Sequence, residues 1–219
     1  MEIKKIIYPL VKLPILIDSD RNLGLLGEFY YGNARGCHNM AAISWGTGVA
    51  CSLLINSKVY RGSHGIVTEF GHISIRKNGK RCKCGNRGCL GVYSGGDALI
   101  NSLSTLLKRD KISTPRHEVI RKSFDLIEKD KKYHDIFRKA IDNLAIGIAN
   151  LCNIVDPEKV LIWGGMSNLP DEFLELLNKE VRMLSHPAYK DYVRIERALH
   201  KERSGLFGAL ALFDKNAKE

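Results

Sequence analysis

Apolar and polar residues alternate with two different periods along this chain, and the change between them divides it. From about residue 40 the period is two. Met40 to Ser44, Ala50 to Ile55 and Lys58 to Arg61 read as strands of a meander, with Asn56-Ser57 as a hairpin turn. His72 to Ile75 reads as a further short strand. Upstream, Pro14-Ile-Leu-Ile17 reads as a short buried strand, Asp18 to Asn22 as a polar turn, and residues 23 to 31 as a helix ending near Gly32. After Ser94 the period lengthens to about 3.6. Ser94 and Asp97 have the spacing of a capping box, ahead of an apolar stripe of Ala98, Leu99, Leu103 and Leu106. The longest helix is predicted from about Tyr133 to Val155, on a stripe of Phe137, Ile141, Leu144, Ile148 and Leu151, with Pro157 breaking it. Val160 to Trp163 follows as a strand, residues 171 to 185 as a helix, Tyr192 to Ile195 as a strand and Gly205 to Phe213 as a closing helix. Strands first and alternating elements later imply an α/β domain with a mixed sheet.

The 219 residues, 44% of them hydrophobic, are enough for a buried core and fit one or two domains. No apolar run approaches the ~20 residues of a membrane helix. The first residues lack the long apolar stretch and small-residue cleavage site of a signal peptide, so a cytoplasmic protein is expected. The formal net charge is +10, which raises the question of a nucleic-acid partner. The basic residues are spread along the chain, however, and no helix-turn-helix pattern stands out, so a solvated surface is favoured over direct DNA binding. The densest basic cluster is Arg76, Lys77, Lys80, Arg81, Lys83 and Arg87.

That cluster surrounds three of the six cysteines. His72 is followed after nine residues by Cys82, then after one by Cys84 and after four by Cys89. One nitrogen and three sulfurs suit tetrahedral zinc, and a closed four-ligand set is the structural kind. Gly85 and Gly88 let the loop fold back so that the thiolates converge. The nearby cations would partly offset the thiolate charge. Cys51 and Cys152 lie in apolar surroundings and are expected to be inert core residues.

Glu69-Phe-Gly-His72 followed by Cys82-Lys-Cys-Gly-Asn-Arg-Gly-Cys89 resembles the signature of the ROK family, which groups repressors, open reading frames and sugar kinases. Further matches run from about Leu13 to Phe213. Gly46-Thr47-Gly48 is similar to the family's second phosphate motif, Asp156 to Gly165 to its adenosine-side segment, and Ser204 to Ala209 to its last helix. The resemblance implies an actin-like ATPase (ribonuclease H-like) fold of two α/β lobes around a cleft. It places Gly46, Thr47, Gly48, Gly164 and Gly165 on the nucleotide side. Pro14 to Asn22 is similar to the family run that carries the base for the sugar hydroxyl, which makes Asp20 the candidate general base. Asp20 equally suits a helix N-cap. Ser19, Asp20, Glu69 and His72 would contact the sugar, His72 with one ring nitrogen on zinc.

Three departures from the family pattern shape the functional expectation. The sequence contains no Asp-x-Gly-Gly-Thr turn, the element that holds the ATP phosphates, so residues 1–35 read as the remnant of an N-terminal lobe and 36–219 as the C-terminal lobe with its zinc loop. Phosphoryl transfer rests on positioning and charge stabilisation, and half a cleft should catalyse poorly. Ser19 stands where the family has asparagine. Gly91 stands where it usually has a sugar-binding glutamate, two residues after the last cysteine. The expected function is a sugar-binding or regulatory module that is not a competent kinase alone. The alternatives are half of an ATP-dependent hexose or N-acetylhexosamine kinase, using ATP and Mg2+ only when a partner chain supplies the other lobe, or a relic held together by zinc. An orphaned strand and helix in residues 1–35 should drive pairing, either as a homodimer or with a complementary chain.

Overall fold

A computed structural model of the chain describes residues 3–216. Its centre is a five-stranded sheet in the order β3-β2-β1-β4-β5, with β1 at Met40–Trp45, β2 at Val49–Ile55, β3 at Lys58–Val59, β4 at Lys159–Trp163 and β5 at Ile195–Arg197. The β1–β2 and β2–β3 pairs are antiparallel; β4 joins β1, and β5 joins β4, in parallel. Asn56 and Ser57 both have positive φ, 50° and 62°, the backbone of the two-residue hairpin turn that the sequence indicated.

Side chains alternate across the sheet, so each face has its own core. Ala41, Ile43, Val160 and Ile162 point to one face. Four helices cover it: α4 (Gly96–Arg109), α5 (Val119–Ile127), α6 (Lys131–Val155) and α7 (Asp171–Leu184). The stripe expected on α6 is buried as predicted at Phe137, Ile141, Leu144 and Ile148, and the helix stops at Asp156, in a left-handed conformation just before Pro157. Met40, Ala42, Leu161 and Trp163 point to the other face, with Leu25 of α2 (Asp20–Tyr31). Helix α8 (Ser204–Asn216) lies along α2.

The α2–α8 contact is backbone on backbone. A Cβ at Gly208 would fall 1.7 Å from the Leu23 carbonyl oxygen, and one at Gly27 would fall 2.0 Å from that of Ser204. Neither obstacle is a side chain that can swing away. Gly208→Ala should therefore cost about 1–3 kcal/mol or more as the helices are forced apart. A urea midpoint unchanged by that substitution would refute the close approach.

Several expectations fail for physical reasons. Helix α2 is not orphaned, since the sheet and α8 cover it. Pro14–Ile17 forms no strand and pairs with none of the five strands of the sheet. It follows an unforeseen helix, α1 (Ile3–Val11), which buries none of its residues. His72–Ile75 is not a sheet strand either. Phe70–His72 is a 3-10 turn, and Ser74 makes a single bridge to Cys89, so this segment pairs with the cysteine loop instead. No capping box forms: Ser94 ends the short helix α3 (Gly91–Ser94), and its buried hydroxyl donates to the Ala140 carbonyl at 2.8 Å. Asp97 accepts from Arg116 at 2.7 Å instead. The third strand, expected to run on to Arg61, stops at Val59, and the strand expected from Tyr192 starts only at Ile195.

Candidate functional site

The cysteine loop brings its four predicted ligands together. The candidate donor atoms of His72, Cys82, Cys84 and Cys89 all lie within 4.8 Å of one another, a set that can hold a metal ion. His72 Nδ1 is 3.6 Å from Cys82 Sγ, and Cys84 Sγ is 3.6 Å from Cys89 Sγ. The backbone closes the loop: Cys82 N–H donates to Asn86 O at 2.8 Å and Gly85 N–H to Cys82 O at 3.1 Å, with Gly85 and Gly88 both at positive φ. The Cys84 N–H lowers the Cys82 thiol to about 7 against the opposing effect of burial. Burial, with the neighbouring cysteines, pushes Cys89 up to about 12.

Beside this loop lies the start of α2. Ser19, not Asp20, is its N-cap, with the Asn22 N–H donating to Ser19 Oγ at 3.3 Å. Asp20 is the first helical residue and its side chain is exposed, accepting the Arg21 N–H at 2.8 Å. Arg21 then reaches across to Glu69, Nη1 to Oε1 at 3.0 Å. This ion pair joins the first turn of α2 to the 3-10 turn that ends at His72. The pair is partly solvated and of modest strength. At Gly91 a Cβ would come within 3.2 Å of the Gly71 carbonyl, so a small residue suits that crossing.

The two glycine turns meet at one end of the sheet. β1 and β4 run parallel, with Ser44 opposite Trp163, and each is followed at once by its turn. Gly46-Thr47-Gly48 is the β1–β2 hairpin turn, closed by Gly46 N–H to Gly48 O at 3.0 Å. Its carbonyls take the first N–H groups of α4: Gly96 N–H donates to Gly46 O at 2.8 Å and Asp97 N–H to Thr47 O at 2.9 Å. Gly164 has φ 93°, and a Cβ there would be 2.8 Å from the Trp45 carbonyl. Gly165 opens a 3-10 turn. Open α/β sheets place ligands at this strand end.

Sequence reasoning missed several residues that build the site. Asp18, with a side chain only 4% exposed, accepts from Arg61 Nη1 and Nη2 at 2.9 and 2.5 Å, from Asn22 Nδ2 at 2.7 Å and from the Ser19 N–H at 2.8 Å. Burial alone would raise its carboxyl; those donors outweigh it and hold the group below the usual carboxylate range. Arg21 and Arg61 carry no sequence signal, because their partners are 48 and 43 residues away.

Solved structures place this fold among the actin-like ATPases. A ROK glucokinase from Streptomyces griseus, in complex with glucose and AMPPNP, has a TM-score of 0.82 at 26% identity, over 95% of this chain and 71% of its own. A ROK hexokinase from Thermus thermophilus has a TM-score of 0.83 at 25% identity, over 99% of this chain and 71% of its own. The chain belongs to the ROK family, whose sequence model matches residues 1–216. The xylose repressor of Caldicellulosiruptor bescii is 31% identical over 96% of this chain. The glucokinase of Halalkalibacterium halodurans is 28% identical over 90% of it. The chain spans 54% and 62% of the lengths of these two proteins. Among the described residues no helix is long and apolar enough to cross a membrane.

Proposed function

We propose that these residues form the sugar-facing lobe of a cytoplasmic ROK protein that binds a monosaccharide and, by themselves, do not transfer a phosphoryl group. The observation that supports the reading is the Arg21–Glu69 contact, which joins the first turn of α2, where Asp20 lies, to the 3-10 turn that ends at the metal-loop histidine. In this reading Ser19, Asp20, Glu69 and His72 receive the sugar hydroxyls. The relatives include a xylose repressor and a glucokinase, which makes xylose and glucose the first ligands to test.

The ion in the cysteine loop is zinc in this reading. Zn–S bonds of about 2.3 Å and Zn–N bonds of about 2.05 Å in a tetrahedron put two sulfurs about 3.8 Å apart and a sulfur and a nitrogen about 3.6 Å apart. The Cys84–Cys89 and His72–Cys82 separations, both 3.6 Å, fit. The ion would have a structural role, fixing the turn that carries His72.

The Arg21–Glu69 pair implies a resident competitor, since a sugar hydroxyl that uses Glu69 must displace a guanidinium. Arg21→Ala should therefore tighten sugar binding by about two- to fivefold, the worth of one partly exposed ion pair, and Glu69→Gln should weaken it. Titration calorimetry of the chain with xylose, glucose and N-acetylglucosamine checks both. No heat with any of them, or tighter binding by Glu69→Gln, would sink the sugar assignment.

A second reading has its own observation. Ile3, Ile6, Tyr8, Leu10, Leu13 and Ile17 are all at least 46% exposed, an apolar surface that the rest of the described chain leaves uncovered. That surface suits a complementary lobe or a second copy, and a lobe carrying the missing phosphate turn would make a kinase with Asp20 as general base. The glycine turns at 46–48 and 164–165 would then face ATP and Mg2+. ATP turnover by this chain alone, abolished by Asp20→Asn, would overturn the binding-only reading.

A further inference from the structure

We propose that a cleft behind the cysteine loop, distinct from the sugar-facing side, binds a small organic phosphate. The cleft encloses about 440 Å3 between the arm of residues 76–80, α3, α4 and α6. That is within the usual range for a small-ligand site, about 300–1,000 Å3. Three cations line it: Arg76 and Lys80 from the arm, and Lys139 from α6; its lining contains no carboxylate.

Among the described residues no ion pair offsets these three cations, although several arginines elsewhere are paired. Arg21, Arg61, Arg116, Arg138 and Arg197 each sit against a carboxylate. Among the described residues, Arg76, Lys80 and Lys139 form no ion pair. Two of the three are nevertheless held in place. The Arg76 guanidinium lies 4.9 Å from the Tyr93 ring centroid and the Lys80 ammonium 5.4 Å from it. Arg76 Nη2 also donates to Oδ1 of the buried Asn143 at 3.1 Å, and the Lys80 N–H donates to the Tyr93 hydroxyl at 2.7 Å. Holding like charges together in a concave site is unfavourable until an anion neutralises them. The floor, from Leu99, Ile136 and Ala140, is apolar. A bare phosphate would leave most of that floor wet, whereas a phosphate ester covers it with its organic part. Cations gathered in a cleft, rather than strung along a helix, favour a small ligand over a nucleic-acid backbone.

Phenyl phosphate tests the idea with no sugar hydroxyl, so the outcome is independent of Asp20 and Glu69. Calorimetry of the metal-loaded chain should show one site, with affinity about tenfold or more above inorganic phosphate. Lys139→Glu, an exposed helix position, should weaken binding by at least about tenfold, and Lys139→Arg should restore it to within about threefold. Three results would each overturn the proposal: no phenyl phosphate binding at about 10 mM, far above the range of a specific site; equal affinity for inorganic phosphate; or an unaltered affinity in a folded Lys139→Glu chain. Displacement of phenyl phosphate by a duplex oligonucleotide at much lower concentration would assign the cleft to nucleic acid and overturn it as well.

Discussion

Replacing Cys89 with serine should abolish binding of the proposed zinc in the cysteine loop and lower the melting temperature by about 8–16 °C. Cys89 is fully buried. It takes part in the bridge that ties Ser74 to the loop, and it leads directly into α3. An ion that binds only the folded chain, free at about a thousand times its dissociation constant, contributes about 4 kcal/mol. In a protein of this size each kcal/mol is worth about 2–4 °C. A chelator should have the same effect on the unaltered chain and should expose residues 73–88 to protease, while the sheet, which has its own two cores, persists. The effect has a pH signature. Metal binding must expel the proton of Cys89, whose thiol is held up near 12, and below about 7 that of Cys82 as well. Protons therefore compete more strongly as pH falls, and zinc affinity should drop by at least about tenfold per unit between pH 8 and pH 6. Half an equivalent of zinc retained by Cys89→Ser, with an unchanged melting curve, would remove the metal from the account.

The second large effect is expected at Glu28, which is completely buried. Its Oε1 accepts from the His200 N–H at 2.9 Å and the Ser204 hydroxyl at 2.8 Å. Its Oε2 accepts from the Asn33 N–H at 3.0 Å and the Leu199 N–H at 2.9 Å. One carboxylate thus satisfies the end of α2 and the turn leading into α8. Glu28→Ala leaves the Asn33, Leu199 and His200 N–H groups without an acceptor, while the Ser204 hydroxyl keeps the Lys201 carbonyl at 2.8 Å, at a cost of about 3–5 kcal/mol. Glu28→Gln keeps the shape but aims an NH2 group at two of those donors, for about 1–3 kcal/mol. Urea unfolding ranks the three proteins. If the alanine variant is no less stable than the glutamine variant, the carboxylate does not hold these elements together.

The sheet was legible because its cues are local. Short apolar runs of strand length marked β1 and β2, Asn56-Ser57 marked the turn between β2 and β3, and the 3.6-residue stripe marked α6. The metal set was legible for the same reason, since three of its four ligands fall within eight residues, Cys82 to Cys89. What failed depended on distant partners. Pro14–Ile17 has strand composition, but a strand exists only beside another. Ser94 has a cap's spacing, but its hydroxyl is claimed by Ala140, 46 residues on. Glu28 left one clue, a charge in the otherwise apolar run from Leu23 to Tyr31, and nothing local said which four donors it would meet. Arg21 reads as one residue of a polar turn until Glu69 is placed next to it. Of the candidate sugar and nucleotide residues, the family resemblance supplied the glycine turns; that the two strands they follow lie side by side, with both turns at one end of the sheet, became visible only with the parallel pairing of β1 and β4.

The glycine-to-backbone seam between α2 and α8 has a consequence for how the protein is made. Glu28 and its partner Ser204 are 176 residues apart. At about 5–20 residues per second, a ribosome needs roughly 9–35 s to travel from one to the other. During that interval the nascent α2 has the strands beneath it but lacks the α8 side of its cover, which makes the emerging polypeptide a client for chaperones until α8 clears the exit tunnel.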